Sequence, residues 1–563
     1  MTDLARDQVG DARQAGLSSA SGLPWQRVTG RSAAIDPFDL ASLFLLAALA
    51  VLVLATFRDY AITNDEWVQQ RYGELIIAYY KSGLTDRAVF EFDNLYLYGG
   101  LFDVVAVLLG GVSALDPFDI RHLMSAMIGV AGIGAAIATA RMIAGARAGL
   151  LAGASLAACG LWYGAMFHHT KDVPLGAAMA GALYFLIRAA RDCPAPQLRF
   201  VVGFGVLTGA ALGVRVLGLL LVCYIGVAVL FNVPSLAGRN WRQLTDRVAR
   251  SLLGFVPALL IAYPIMIVTW PWAALAPLNP LRALLTFEML DYDIRTLLAG
   301  KIYLMATVPR WYVPVYLTIK IPLLLLAGAA LALGTLAVPR PTGWVRPDQA
   351  PRDTAIVAVA ALFPVLCEVV IGGPAFCGPR HFLFVLPPLA ILAGIGLDVV
   401  VRATTMRSAA LGAMTFGLIA AGLSWNGATM YRLHPYQYLY YNELVGGLQG
   451  ASRRYDTDYW FTMMPEAVDR LAAYIARTDP PGTTGRVYTV SLCGERDSFL
   501  RKAPANLRWA QDWETADFFI APTHMNCDRD IDAKVAVTIE RMGVPIGYVK
   551  DQRAKTRPTM AGP

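Results

Sequence analysis

The stretch LASLFLLAALAVLVLATF at residues 40–57 carries no charged side chain and decides the fold. A helix needs about 20 consecutive apolar residues to cross the hydrocarbon core of a bilayer. The pattern predicts eleven spans, whereas the shorter apolar run 101–111 predicts an interfacial helix. The ten later spans fall at about residues 122–140, 148–166, 174–190, 200–214, 216–233, 251–270, 312–338, 355–371, 382–400 and 408–425.

The composition of the 563 residues points the same way. Hydrophobic residues make up 56% and charged residues 16%, against about 25% charged residues in a soluble domain, which excludes an ordinary soluble enzyme. The net charge of +7 is spread over many loops, and this favours a lipid bilayer over a nucleic acid as partner. Seven cysteines without CxxC or Cys/His spacing indicate neither a zinc module nor a disulfide framework.

Arginines recur in alternate loops between the spans. Basic residues are retained preferentially in cytoplasmic loops, so the N-terminus is predicted to be cytoplasmic. Eleven crossings then place the C-terminus on the external, periplasmic side of the cell (inner) membrane. The arginines concerned are Arg141, Arg147, Arg188, Arg191, Arg199, Arg239, Arg242, Arg247, Arg250, Arg340, Arg346, Arg352, Arg402 and Arg407.

Three regions are predicted along the chain. A cytoplasmic tail (1–36) precedes a transmembrane region (37–430), whose first external loop is 58–100, and the hydropathy drops in 431–563. Helical patterning at 465–476 and β-like runs at 486–492 and 517–520 predict a small external α/β domain. The fold class is therefore an α-helical polytopic membrane protein with a small C-terminal α/β domain.

That domain holds Cys493 and Cys527 in a compartment that permits disulfides. Whether the two cysteines pair is left open by the sequence. By its position, the domain could bind an acceptor molecule.

Candidate site residues lie in the external loops. Asp65 and Glu66 are adjacent carboxylates just beyond the first span, and a desolvated carboxylate can act as a general base. The alternative is that Asn64 or Asp65 caps the following helix. Asp93, at the end of the same loop, stands among aromatic residues, a combination that suits a sugar but is also typical of interfacial anchoring.

The segment His168-His169-Thr170-Lys171-Asp172 places four ionisable side chains at a membrane boundary, where charge is costly unless it is paired or hydrated. Asp172 could simply pair with Lys171. Otherwise Lys171 and the imidazoles would bind a phosphate, or a histidine and Asp172 would hold a divalent metal.

Two arginines stand at further external span ends. Arg215 interrupts an apolar run, and Arg380 with His381 precedes the tenth span. Each could snorkel, but two guanidinium groups and one lysine on a single face would form a phosphate site. The stretch from Trp270 to Arg310 is predicted to form interfacial helices that shape a cavity.

The order of these motifs resembles the GT-C superfamily of polyprenyl-phosphate-sugar-dependent glycosyltransferases, especially the bacterial relatives of protein O-mannosyltransferases and of lipid A aminoarabinose transferase. The resemblance covers about residues 40–400. It is carried by Asp65-Glu66, by Thr-Lys171-Asp172-Val-Pro, by Gly-Val-Arg215-Val-Leu-Gly and by Pro-Arg380-His381-Phe-Leu-Phe-Val-Leu-Pro-Pro.

The resemblance implies a GT-C-like fold and the inverting transfer of a sugar from a polyprenyl-phosphate donor to a lipid, glycan or protein acceptor outside the membrane. Asp65 would be the general base, and Glu66 and Asp172 are the further candidates for catalytic residues. Lys171, Arg215 and Arg380 would neutralise the leaving phosphate, and Glu66 and Asp93 would orient sugar or acceptor. No cofactor is certain, and the need for a divalent metal stays open.

Two other classes of function remain. A transporter or lipid flippase would place ionisable residues near the bilayer midplane, often in paired halves, whereas the charges here cluster at external span ends and no repeat is seen. A receptor or assembly scaffold would make the loop carboxylates dispensable.

Overall fold

The computed structural model describes residues 35–232, 240–288, 293–337, 350–373, 375–479, 485–494 and 496–556. Residues 1–34, most of the predicted cytoplasmic tail, lie outside them. Residues 37–563 form one compact unit. The α-helices are Pro37–Thr56, Glu66–Lys81, Leu101–Gly110, Pro117–Ala144, Ala146–Ala157, Gly160–His168, Asp172–Arg191, Leu198–Leu212, Leu220–Phe231, Trp241–Leu253, Val256–Thr269, Pro271–Leu275, Asn279–Glu288, Tyr312–Lys320, Leu323–Ala337, Ala350–Ile371, Leu386–Arg407, Ala409–Leu433, Gly447–Ala451, Met464–Thr478, Arg496–Lys502 and Arg553–Thr556.

Seven helical segments within the described residues are long and apolar enough to cross a membrane, and two bent pairs raise the number to nine. Leu198–Leu212 and Val216–Phe231, at the positions of the predicted fifth and sixth spans, are shorter apolar helices. The count of eleven therefore stays a prediction. The seven are Pro37–Asp59, Pro117–Ala144, Asp172–Arg191, Trp241–Thr269, Ala350–Ile371, Arg380–Arg407 and Ala409–Leu433.

Both bent pairs were predicted as straight spans. Tyr312–Lys320 and Leu323–Ala337 meet at 113°. The break falls at Ile321-Pro322, where Ile321 is extended (φ −93°, ψ 135°), because the residue before a proline avoids the helical region. The helices Ala146–Ala157 and Gly160–His168 meet at 62°. Periodicity of apolar residues does not distinguish a straight span from a bent one.

Small residues let the central helices pack closely. A Cβ at Gly396 would lie 1.9 Å from the carbonyl oxygen of Gly328, and one at Gly394 would lie 2.4 Å from that of Ala148. Close backbone approach through glycine and alanine is a common way of associating helices within a membrane.

The end of the helices opposite the predicted external loops is held by ion pairs. Asp398 is fully buried between Arg147 and Arg402, with Nε–Oδ distances of 2.7 and 2.5 Å. Arg191, at the far end of the helix that begins at Asp172, pairs with Asp353 at 2.5 Å. Arg147, Arg191 and Arg402, which the sequence assigns to the cytoplasmic side, therefore lie at the helix ends away from the predicted external loops.

The C-terminal region forms a five-stranded mixed sheet in the order Leu507–Trp509, Tyr488–Leu492, Phe518–Pro522, Val544–Asp551 and Lys534–Arg541. Helix Met464–Thr478 buries Ala467, Leu471 and Ile475, as its apolar spacing predicts. Cys493 and Cys527 form a disulfide. The predicted fold class is confirmed, whereas the domain boundary at residue 431 stays a prediction.

Candidate active site

Polar side chains from distant parts of the chain meet around one cavity of about 380 Å³. Four predicted site residues line it: Asp65, Lys171, Arg215 and Arg380. They come from four separate loops or helix starts, at the ends of the helices that the arginine pattern assigns to the external side. The fold therefore brings together the charges that the sequence singled out.

Asp65 is the carboxylate exposed to the cavity. It occupies the N-cap position of helix Glu66–Lys81 but makes no capping hydrogen bond with its side chain. Its Oδ2 instead accepts a hydrogen bond from Arg380 Nη1 at 3.3 Å. The side chain is 47% exposed, against 9% for Arg380, so a ligand in the cavity can reach the carboxylate.

Aromatic rings hold Arg380 in place. Its Cζ lies 4.8 Å from the centre of the Phe376 ring and 4.7 Å from that of Trp460. Its Nε–H donates to His381 Nε2 at 3.1 Å, and His381 packs edge-on against Phe376. Cation–π contacts stabilise a guanidinium without neutralising it, so its charge remains available to an anion.

Lys171 and Arg215 share the ring of Tyr98. The Lys171 Nζ lies 4.1 Å and the Arg215 Cζ 5.4 Å from its centre. Tyr98 is positioned by Gly99 and Gly100, because Gly100 N–H donates to the Thr269 carbonyl at 2.8 Å. A Cβ at Gly99 would lie 2.2 Å from the Gly213 carbonyl, so only glycine allows this approach.

Lys171 is almost completely buried. Burial lowers the pKa of its ammonium to about 8, an effect that Asp103 opposes and Arg215 reinforces. The side chain therefore stays mostly protonated at neutral pH while sitting close to its titration range. A bound anion would favour the protonated form.

Asp172 lies behind the cavity wall and fixes Arg215. Its Oδ1 is 2.9 Å from Arg215 Nη2, so it does not form the simple pair with Lys171 that the sequence allowed. Its Oδ2 lies 3.3 Å from His169 Nδ1, while Trp460 Nε1–H donates to His169 Nε2 at 2.9 Å. Because an indole only donates, the proton of a neutral His169 sits on Nδ1 and points at Asp172.

Besides Asp172, His169 and His381, three further predicted residues lie outside the cavity lining. Glu66 is fully buried and accepts hydrogen bonds from Thr63 N and Thr63 Oγ1, both at 2.9 Å. Asp93 is exposed on the surface. His168 is buried with Nδ1 3.1 Å from the Gly164 carbonyl. The roles of Glu66 and Asp93 in orienting sugar or acceptor, and of His168 in binding a phosphate or a metal, stay predictions.

The cavity also contains residues that the sequence analysis missed. Arg295 belongs to the hairpin Arg295–Leu298 and Lys301–Leu304, in a stretch for which interfacial helices were predicted. Pro271–Leu275 and Asn279–Glu288 are helices as predicted, whereas the hairpin is not, and the interfacial position of the two helices stays a prediction. The further lining residues are Asn64, Val68, Gln69, Asn94, Leu95, Tyr98, Ile294, Phe376, Cys377, Tyr459, Trp460, Phe461 and His524.

The hairpin is attached to the cavity by Asp456, far along the chain. The fully buried carboxylate accepts hydrogen bonds from Leu297 N at 3.0 Å and from Thr296 Oγ1 at 2.8 Å. Only the aromatic run Asp458-Tyr459-Trp460-Phe461 could have signalled from the sequence that this region joins the site.

The described part of the chain contains no group of three or more His, Cys, Asp or Glu side chains arranged to hold a metal ion. The histidine and carboxylate that the sequence offered for a metal, His169 and Asp172, are instead satisfied by Trp460 and Arg215.

The fold and the site define a polytopic membrane protein in which, among the described residues, the accessible carboxylate of Asp65 faces buried cations at the ends of several helices. Residues 111–270 match the model of the dolichyl-phosphate-mannose-protein mannosyltransferase family. The resemblance to GT-C glycosyltransferases that the motifs indicate is thereby confirmed. A search of curated protein sequences gives no significant match.

Among solved structures, the chain is similar to ArnT from Cupriavidus metallidurans bound to undecaprenyl phosphate, with 17% identity, 92% of this chain and 99% of that chain covered, and a TM-score of 0.46. For the oligosaccharyltransferase AglB from Archaeoglobus fulgidus, in complex with an inhibitory peptide and a dolichol-phosphate, the identity is 11%, the coverage 85% and 69%, and the TM-score 0.43. The S. cerevisiae Pmt1-Pmt2 complex bound to the sugar donor matches with 17% identity, 41% and 33% coverage, and a TM-score of 0.31.

Proposed function

We propose that the protein transfers a sugar from a polyprenyl-phosphate-linked donor to an acceptor hydroxyl at the external face of the membrane, with inversion at the anomeric carbon. The observation that carries the proposal is the convergence of Asp65 with Lys171, Arg215 and Arg380 on one cavity. An accessible base opposite fixed cations is what a displacement with an anionic leaving group requires.

In the proposed reaction, the acceptor oxygen attacks the anomeric carbon as the acceptor proton passes to Asp65. The bond between the anomeric carbon and the phosphate oxygen breaks, and its electron pair leaves on the phosphate. Lys171, Arg215 and Arg380 stabilise the charge that develops there. A single displacement of this kind inverts the anomeric configuration.

The positions of Asp172 and His381 support a role for both in orienting the cations. Asp172 contacts Arg215, and His381 accepts from Arg380. Preorganised charges stabilise a transition state because they need not reorient during the reaction. We therefore assign Asp172 to the positioning of Arg215.

The donor class is supported by the matching family, which is named for a dolichyl-phosphate-linked mannose. The cavity lies beside membrane-spanning helices, so an isoprenoid chain could stay in the bilayer while its phosphate reaches the cations. Helix Asp172–Arg191 has 20 residues and spans about 30 Å. Its far end carries Arg191, one of the arginines that the sequence assigns to the cytoplasmic side, and this supports an external site.

The proposal is tested by the transfer of a radiolabelled sugar from polyprenyl-phosphate donors to a membrane extract. At equal expression, Asp65→Asn should lower transfer by at least about 100-fold, because an amide cannot accept the proton. The matched control is Asp86→Asn in the same loop, whose exposed side chain only accepts from Ala88 N at 3.1 Å and which should retain activity. Equal activity of Asp65→Asn and wild type would remove Asp65 from the mechanism.

If the wild type transferred no sugar from any donor, the proposed glycosyltransferase activity would be wrong, and a transporter or lipid flippase would be favoured. The positions of the charges argue against that alternative. Ionisable residues of a transport path lie near the bilayer midplane, whereas the cavity charges here stand at helix ends.

A further inference from the structure

The predicted C-terminal domain contributes a histidine to the cavity lining. His524 lines it together with Asp65, although the two residues lie far apart in the sequence. Its side chain is only 10% exposed, and its Nδ1 is buried without a hydrogen-bond partner. The imidazole is thus not anchored by a hydrogen bond at Nδ1, and Nε2 is the ring nitrogen that can meet a ligand in the cavity.

The backbone that follows His524 is strained. Met525 (φ 52°) and Asn526 (φ 58°) are two consecutive left-handed residues. Asparagine tolerates this region, but a methionine there is uncommon. Such conformations persist where surrounding contacts over-determine them, and they concentrate at functional sites.

Two kinds of contact fix this segment. Cys527 is joined by a disulfide to Cys493, directly after the strand Tyr488–Leu492. Arg453 donates to Asn526 Oδ1 at 2.8 Å and to both carboxylate oxygens of Asp528, at 3.2 and 2.8 Å. The disulfide and the arginine thus fix the segment at Asn526, Cys527 and Asp528, within four residues after His524.

The surroundings of His524 also determine which ring nitrogen carries the proton. Nδ1 lies 3.8 Å from the buried Asp456 Oδ1, which favours the tautomer with the proton on Nδ1. Burial lowers the pKa of His524, so the ring is neutral at neutral pH. Nε2 is then left as a hydrogen-bond acceptor at the edge of the ring away from Asp456.

We propose that His524 binds the acceptor, with Nε2 accepting a hydrogen bond from an acceptor hydroxyl, and that the Cys493–Cys527 disulfide holds it in place for this role. The inference rests on the proposed glycosyl transfer and adds the acceptor side of the same cavity. The predicted role of the C-terminal domain in acceptor binding would thus reside in one residue. Lys171, Arg215 and Arg380 bind the donor phosphate, whereas the neutral His524 binds the uncharged acceptor hydroxyl.

The test separates acceptor use from donor binding. Purified full-length protein is titrated with a polyprenyl monophosphate without sugar, and transfer is measured against increasing amounts of membrane extract. His524→Ala should raise the half-saturating amount of extract about ten-fold, the effect of losing one hydrogen bond. Binding of the polyprenyl monophosphate should be unchanged. His524→Gln should recover most of the loss, because its amide oxygen can accept the same bond.

The matched control is His434→Ala, since His434 contacts Asp59 at 2.9 Å and does not line the cavity. A His524→Ala variant with wild-type half-saturation, or with an equal loss of lipid binding, would overturn the inference and leave the glycosyltransferase intact. So would a His524→Gln variant as impaired as His524→Ala. A wild type that neither binds the lipid nor transfers sugar would overturn the proposed function and this inference together.

The disulfide is tested on the same proteins with a thiol reductant. Reduction should weaken acceptor use of the wild type by about the factor found for His524→Ala and should add little to that variant, because coupled perturbations are not additive. A further equal loss in the reduced His524→Ala variant would show that the disulfide does not act through His524.

Discussion

At the scale of single residues, the proposed phosphate site includes a lysine whose pKa lies only slightly above neutral pH. Burial lowers the pKa of Lys171 to about 8, so its ammonium is present below that pH and is lost as the pH rises through it. Since the neutral amine cannot stabilise a leaving phosphate, kcat/KM for the donor should fall by about ten-fold per pH unit above about pH 8.

The matched variant for this prediction is Lys171→Arg, because a guanidinium stays charged in proteins. Its activity at neutral pH will be lower if the longer side chain fits poorly, but its alkaline decline should disappear. The measurement is a pH profile of kcat/KM for both proteins at saturating acceptor. An identical alkaline decline in Lys171→Arg would assign the titration to another group.

A second prediction at this scale distinguishes the roles of the carboxylates Asp65 and Asp172. Asp172 contacts Arg215 and His169 and does not line the cavity. Asp172→Asn should therefore raise the KM for the donor and lower transfer by clearly less than Asp65→Asn, because Arg215 keeps its charge but loses its anchor. Rate losses of equal size at saturating donor would instead place Asp172 in the chemical step, as its grouping with Asp65 and Glu66 suggests.

At the scale of elements, the end of the first external loop is joined to the turn that carries Arg215. Leu101 N–H donates to the Gly213 carbonyl at 2.8 Å, and a Cβ at Gly99 would lie 2.2 Å from the same group. Gly99→Ala should destabilise the protein by about 1–3 kcal/mol and lower activity by displacing Tyr98. The control is Gly427→Ala, where an added Cβ meets nothing within 4 Å. The thermal unfolding temperature and the transfer activity of this variant should equal those of the wild type.

The sequence predicted elements where the signal is local. Apolar runs identified most of the helices, and the order of Asp65, Lys171, Arg215 and Arg380 identified the charged side of the cavity. The hairpin beginning at Arg295 was missed because its backbone is fixed by Asp456, 159 residues away from Leu297, and no short pattern encodes such a contact.

The same reasoning explains the missed histidine. His524 stands in an unremarkable loop, and its place at the cavity follows from a disulfide and from a sheet whose central strands are non-consecutive. The disulfide itself could not be settled, because two cysteines in a permissive compartment do not reveal the distance between them. Long-range contacts of this kind become visible only in the fold.

At the scale of the whole molecule, the proposal requires that cavity and C-terminal domain face the same, external side. Two exposed positions can report on this in a background where the described free cysteines, Cys159, Cys193, Cys223, Cys367 and Cys377, are replaced by serine. Leu444 is 60% exposed and follows Ala409–Leu433, the last candidate span of the described residues, and Met406 is 63% exposed beside Arg407. Leu444→Cys should react with a membrane-impermeant maleimide in intact cells, whereas Met406→Cys should react only after permeabilisation, because basic loops stay in the cytoplasm. The opposite labelling pattern would place the cavity on the cytoplasmic face and contradict transfer outside, whatever the activity of the purified enzyme.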